Sequence, residues 1–300
     1  MFLAVVFAVV AGLICFTSCE KDPANPENPT DSTEVNDNNS DNPGDNPAGD
    51  FDDLTVSTNT SKRNAIIEEY TGIYCGYCPD GHAIVRELME NNPNKVFAIN
   101  IHQGYYANDT YTTEWGDALA AQTGLTGYPS GTVNRHVFSG TMAMDRSKWD
   151  TRAKQIIAKT SSLNLAARAI IDTNARTMKV CVKGYYTSDS DSSTNLLNVA
   201  VLQNDIVGQQ SNYGNYNQAQ YDAQGRYHHM HMLRDLITGQ WGELIETTTR
   251  GTSFERTYDY AIPAKISKET VVLKDLEIIV FVTLTHADIE TGVRAEILYK

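Results

Sequence analysis

Apolar residues first appear as one unbroken run at positions 2–16. The run is shorter than the roughly 20 residues a bilayer-spanning helix needs, and it reads as the core of an export signal over 1–18. From 19 to 52 apolar positions almost vanish, and Asp, Asn and Pro recur as in Asn42-Pro43-Gly44-Asp45-Asn46-Pro47. With so little apolar surface to offset chain entropy, this stretch is expected to be a disordered tether. Apolar blocks at 63–70 and 95–102 then predict two buried strands. Between them Val85, Leu88 and Met89 recur at helical spacing from Cys78, with Pro79 suited to a first turn. Further helices are predicted at 113–122 and 145–158, the second with Trp149, Ala153, Ile156 and Ile157 on one face.

After Thr160 the period changes. Leu163, Leu165, Ala167, Ala169 and Ile171 alternate with other positions, as do Met178, Val180 and Val182. Strand-like runs come next at 196–203, 228–236, 254–262, 276–285 and 293–298. About seven strands with no convincing helix predict an all-β, immunoglobulin-like sandwich domain over 161–300. The stretch 211–227, dense in Tyr, Asn and Gln, reads as a long mobile insertion.

Charge changes the picture only once it is divided along the chain. The formal net charge is -13, but between positions 20 and 53 eleven acids stand against one Lys. Of the 37 acids and 24 bases, 26 and 23 lie in residues 54–300. A nearly balanced body lacks the clustered Lys and Arg that replace counterions along phosphates, so nucleic acid is not an expected partner.

The candidate chemistry is Cys75-Gly76-Tyr77-Cys78, which lies between a predicted strand and a predicted helix. Unpaired N–H groups and the dipole at a helix start favour a thiolate at Cys75. Cys78, one turn inside, is placed to resolve a mixed disulfide. The readings left open are an inert disulfide of an oxidising compartment and a metal site. Zinc would have only Cys75, Cys78 and His82 where a structural site takes four ligands, and no cofactor or metal is expected. In 228–232 alternation sets His229 and His231 on one face and Met230 and Met232 on the other; a half-buried strand is expected there. Cys181 is expected to be a free thiol on the Lys179 and Lys183 face of its strand.

Three resemblances add to these readings. Thr17-Ser18-Cys19 after the apolar run resembles a bacterial lipobox, which implies cleavage before Cys19, a lipid on its sulfur and a membrane as partner. The order strand, CxxC, helix, strand, helix, then Gly127-Tyr128-Pro129-Ser130, resembles the thioredoxin superfamily over roughly 53–160. That implies an α/β thioredoxin-like domain, a cis Pro129 facing the cysteines, and Tyr128 offering its backbone to a substrate chain. Glu69 matches the superfamily's buried, proton-moving carboxylate, and Tyr74 and Tyr77 flank the thiols as substrate contacts. Some copper-delivery relatives pair two cysteines and a Pro with a distant His, for which His102 or His136 would serve here. The order as a whole, with the run from His229 to Arg234, resembles Gram-negative outer-membrane lipoproteins named for a 28-kilodalton outer membrane protein, whose members are often labelled adhesins. Together these imply an outer-membrane lipoprotein that exchanges disulfides with cysteine-containing envelope proteins, while its sandwich positions them. The alternative is a binding or adhesion protein with a structural CxxC.

Overall fold

Strands from both sides of Thr160 hydrogen-bond into one large sheet. The computed structural model describes residues 50–107 and 109–300; the export signal, Cys19 and nearly all of the tether lie outside them. In chain order the first elements are β1 (Ala65–Thr71), α1 (Cys78–Asn91), β2 (Val96–His102), α2 (Glu114–Thr123), β3 (Ser130–Val133), β4 (Met144–Asp145) and α3 (Trp149–Ala158). Then come β5 (Leu163–Asp172), β6 (Thr177–Tyr186), β7 (Asn195–Gln203), β8 (Ile206–Gly208), β9 (Tyr227–His229), β10 (Met232–Leu236) and β11 (Glu243–Ile245). The last are β12 (Ser253–Ala261), β13 (Lys265–Ile266), β14 (Glu269–Thr270), β15 (Leu276–Leu284), β16 (Ala287–Arg294) and β17 (Glu296–Tyr299).

The large sheet has nine strands in the order β16-β15-β7-β10-β2-β1-β3-β4, with β11 also on β7. The seam lies at β10, which runs antiparallel to β7 and parallel to β2. Asn100 fastens it: its backbone N–H donates to the His231 carbonyl at 2.8 Å, and its side-chain amide donates to that of Met230. A second sheet, β12-β6-β5-β17, packs on β7 and β15 through Leu163, Val180, Val182, Val199, Val201, Ile278 and Val280. Ala48–Lys300 clusters as one compact unit.

The expected α/β thioredoxin-like domain followed by an immunoglobulin-like sandwich is therefore overturned. Strand outweighs helix, 41% against 17%, and the sheet next to the four-stranded layer is mixed and shared by both halves of the chain. The reason lies in β1 and β2, every residue of which is buried. Ala65, Ile67 and Ala98 pack toward α1 and α3 with Val85, Leu88 and Trp149. Ile66, Phe97, Ile99 and Ile101 point the other way and meet Leu119 of α2 together with Leu202, Leu233, Ile279 and Phe281. Strands apolar on both faces need cover on both, and here much of the second cover comes from beyond residue 160. The turn after β3 adds stitches: Asn134 and Arg135 adopt positive φ, Ile289 N–H donates to the Asn134 carbonyl at 2.7 Å, and the Arg135 guanidinium lies over the Phe281 ring.

Candidate functional site

β1 ends at Thr71, the chain turns, and α1 begins at Cys78. Cys75 and Cys78 are joined as a disulfide with Cα atoms 5.4 Å apart, at the start of a helix whose first turn holds Pro79. Cys78 is fully buried and Cys75 is only 4% exposed, whereas Tyr74 and Tyr77 beside them are half exposed. The Tyr128–Pro129 bond is cis. Pro129 packs on the first turn of α1: a Cβ added to Gly81 would lie 3.3 Å from the Pro129 Cβ and 2.4 Å from Glu69 Oε1. Gly81 is the residue that leaves room for the Glu69 carboxyl beneath the helix. The Tyr128 hydroxyl accepts a hydrogen bond from Gln103.

Glu68 and Glu69 point to opposite faces of β1, and both are fully buried because β1 is a central strand covered on two sides. Glu68 is paired. Arg135 donates to both of its oxygens at 2.6–3.0 Å, and Thr132 adds a bond at 2.9 Å. Neither oxygen of Glu69 makes a hydrogen bond. Burial raises its pKa well above the usual carboxylate value, with Arg146 opposing and Asp80 adding to the rise, so the site favours the protonated form.

Beside Glu69 stands His82, whose Nε2 is 3.7 Å from Glu69 Oε1 and 2.9 Å from Thr71 Oγ1. Its Nδ1 lies 2.7 Å from the hydroxyl of Tyr227. Burial lowers the His82 pKa to about 3, so the contact with Glu69 is between neutral groups and not an ion pair. His102 and His229 extend this buried cluster, with ring centroids 5.1 Å apart and Tyr111 against both. Burial also holds their pKa values down, that of His229 at about 4.

A segment of the second half crosses the disulfide loop. Ser211 N–H donates to the Ile73 carbonyl at 2.7 Å and Tyr213 N–H to that of Gly76 at 2.9 Å. The Gln210 side chain donates to the Cys75 carbonyl at 3.0 Å. The Tyr213 ring rests on Gly76, where an added Cβ would come within 2.4 Å of it, and meets Tyr77 edge-on. The stretch expected to be a mobile insertion is thus bonded to the cysteine loop.

The structure brings together Glu69, Cys75, Cys78, Tyr74, Tyr77 and Pro129, with Tyr128 next to Pro129; the sequence reading missed Tyr227, Gln210 and Tyr213 and weighed His82 only as a zinc ligand. The metal readings find little support. Among the described residues no group of three or more His, Cys, Asp or Glu is arranged to hold an ion. His136 pairs with Asp288. His229 and His231 do not share a strand face, because β9 ends at His229 and His231 takes a positive φ and binds Glu277 at 2.7 Å. Cys181 is free as expected, but it is buried and its thiol donates to Glu255.

Comparison with known proteins adds a family and a fold. The family model described as outer membrane protein Omp28 matches residues 116–295. HBP35 of Porphyromonas gingivalis is 18% identical, with 79% of this chain and 76% of that chain covered and a TM-score of 0.63; at that identity the likeness concerns fold alone. A domain of the outer membrane lipoprotein Omp28 from Porphyromonas gingivalis is 19% identical over 47% of this chain and 91% of its own, with a TM-score of 0.31. No curated protein matches the chain.

Proposed function

The chain belongs to the Omp28 family of outer membrane proteins and is an outer membrane lipoprotein, and from that premise we propose that it exchanges disulfides with cysteine-containing envelope proteins through Cys75 and Cys78. In this reading Cys19 carries the lipid. The observation that carries it is the disulfide at the start of α1 with an unbonded, buried Glu69 under the same turn. A structural disulfide needs no buried carboxyl under its turn, and burying one without hydrogen bonds costs stability. The cis Pro129, in the connection before β3, packs against the same first turn of α1 at Gly81.

Starting from the disulfide, a substrate thiolate attacks Cys75 Sγ, the S–S bond breaks, and Cys78 leaves as a thiolate that takes the Glu69 proton. A second substrate thiolate then attacks the substrate sulfur of the mixed disulfide, and Cys75 leaves with its electron pair. The substrate is oxidised to a disulfide and the site is reduced by two electrons; run backwards, the same steps reduce a substrate. The helix start stabilises the Cys75 thiolate. Tyr74, Tyr77 and Tyr128 offer aromatic surface to the chain around the substrate cysteine.

One observation favours a second reading, in which the chain is a binding or adhesion protein and the disulfide is a staple: Cys75 is nearly covered, and residues 210–213 are bonded across its loop. Equilibration with glutathione separates the two. Exchange predicts a reduction potential no more negative than roughly -270 mV and trapped mixed disulfides in Cys78→Ser. A potential below about -300 mV, with no adduct trapped, marks a staple and overturns the proposal.

A further inference from the structure

We propose that the exchange site selects cysteines whose flanking residues are uncharged, aromatic or apolar, on a collar of Tyr74, Tyr77, Tyr105, Tyr106, Tyr128 and Tyr213 around the disulfide. This deepens the exchange reading above and rests on it. Four connections meet at the disulfide, and none of the residues in 70–79, 103–107, 124–130 and 206–221 is Asp, Glu, Lys, Arg or His, in a chain that is 20% charged. Just beyond their ends Glu69 is buried, and Asp80, Asp109, Asp205 and Asp222 each lie beside a base, namely Arg146, Lys268, His228 and Arg226. The collar therefore carries no charge of its own, and its border offers no lone acid.

The collar holds together through its own contacts. Tyr213 meets Tyr77 edge-on with ring centroids 5.5 Å apart, Tyr105 meets Tyr106 at 5.2 Å, and Tyr106 meets Tyr128 at 5.5 Å. The Tyr74 N–H donates to the Tyr106 carbonyl at 2.9 Å. Gly72 permits that approach, since a Cβ added there would lie 2.3 Å from the Tyr106 carbonyl carbon. Of the exposed tyrosines among the described residues, all but Tyr299 stand here, with Tyr105 at 89% and Tyr213 at 72%. Cys75, between Tyr74 and Tyr77, is only 4% exposed, so its sulfur is recessed among rings that stand out into solvent.

Tyr rings offer large, rigid contact area at little entropy cost, and surfaces rich in Tyr, Ser, Gly and Asn grip polypeptide in this way. The run Ser211-Asn212-Tyr213-Gly214-Asn215-Tyr216 has that composition. Because the sulfur is recessed, the flanks of an incoming cysteine meet the rings before bonds are exchanged. An aromatic or apolar flank gains area there. A carboxylate loses water, finds no cation and faces the negative side of the rings. A Lys or Arg also loses water but recovers part of the cost on the ring faces. The order of preference is thus neutral, then basic, then acidic.

The test uses the full chain carrying Cys78→Ser and peptides activated as 2-thiopyridyl disulfides. The Cys75 thiolate attacks the peptide sulfur, the bond to the pyridyl sulfur breaks, and pyridine-2-thione leaves with the electron pair. Peptides of one length carry a single Cys flanked by Tyr and Leu, by Lys, or by Asp, and each rate is divided by that of the same peptide with 2-mercaptoethanol. Mass spectrometry places the adduct on Cys75 and not on Cys181. We expect the neutral peptide to react about tenfold faster than the acidic one, with the basic one between. The neutral rate should hold from low ionic strength to about 1 M. Adding Tyr77→Ala and Tyr105→Ala should remove most of the preference, whereas Tyr105→Phe should keep it; Tyr105→Ala alone, at an exposed side chain, serves if the combined variant does not fold. A neutral peptide no faster than the acidic one, a neutral rate that falls with salt, or a preference undiminished in the Ala variants overturns the collar. Exchange still stands in those cases if Cys75 reacts with 2-hydroxyethyl 2-pyridyl disulfide. A Cys75 that reacts with no disulfide, small or peptidic, overturns the exchange reading itself.

Discussion

Three buried imidazoles with lowered pKa values and one buried carboxyl with a raised one give the stability a pH dependence with two signs. His82 has a folded pKa of about 3 and His229 of about 4, both pushed down by burial from 6.5. Their neutral forms fit the fold at no charge cost above pH 6.5. As pH falls below 6.5 the unfolded chain gains protons that the folded one refuses, and stability is lost until the folded pKa values are reached. At about 1.4 kcal/mol per unit, the interval from 6.5 down to these values amounts to several kcal/mol. Glu69 acts in the opposite sense: its folded pKa is raised, so its contribution is intact below 4.5 and declines as pH rises toward the folded value. Urea midpoints should therefore fall between pH 6.5 and 4, and less so in His229→Gln. Glu69→Gln should flatten the limb above pH 4.5. Identical limbs in wild type and variants would count against this assignment. Glu69 was legible from its place six residues before Cys75. The Glu68–Arg135 pair was not, since it depends on positive φ at Asn134 and Arg135 and on a strand buried on both faces.

At the scale of elements, α1, α2, β1, β2, β5, β6, β7, β12 and β15 stand close to where hydrophobic period put them, because each carries its own pattern. The short strands β8, β11, β13 and β14 escaped, being two or three residues long with no period to read. What the segment 210–213 does could not be read at all: its polar composition identifies a connection, but docking on the cysteine loop depends on backbone bonds that any residue could make. Cys75 in that loop is only 4% exposed, and the segment is expected to limit how readily reagents reach its sulfur. Tyr213→Ala should free the surface of Gly76 and speed alkylation of reduced Cys75 by iodoacetamide several-fold. Gly76→Ala should act in the same direction, since its Cβ would come within 2.4 Å of the Tyr213 ring. Alkylation rates that match wild type in both variants would show that the segment lies over the loop without guarding it.

For the molecule as a whole, the change of period at Thr160 suggests two bodies, while the pairing of β10 with β2 joins them in one sheet. Periodicity describes which residues are apolar; it does not say which strand will cover them. A fragment of residues 48–160 retains CxxC, both flanking strands and all three helices. It loses the residues that meet Ile66, Phe97, Ile99 and Ile101, namely Leu202, Leu233, Ile279 and Phe281. Uncovering four such side chains at about 2 kcal/mol each removes about 8 kcal/mol, comparable to the whole stability of an ordinary domain. The same cut exposes the β2 edge that β10 occupies and strips Phe281 from the buried Arg135. The fragment is therefore expected to show no cooperative urea transition and no near-ultraviolet circular dichroism, while the 48–300 chain shows both. Its cysteines should then react as those of an unstructured peptide. A cooperative transition in the fragment would mean instead that α2 alone covers that face, and that the second half is docked on a body already folded.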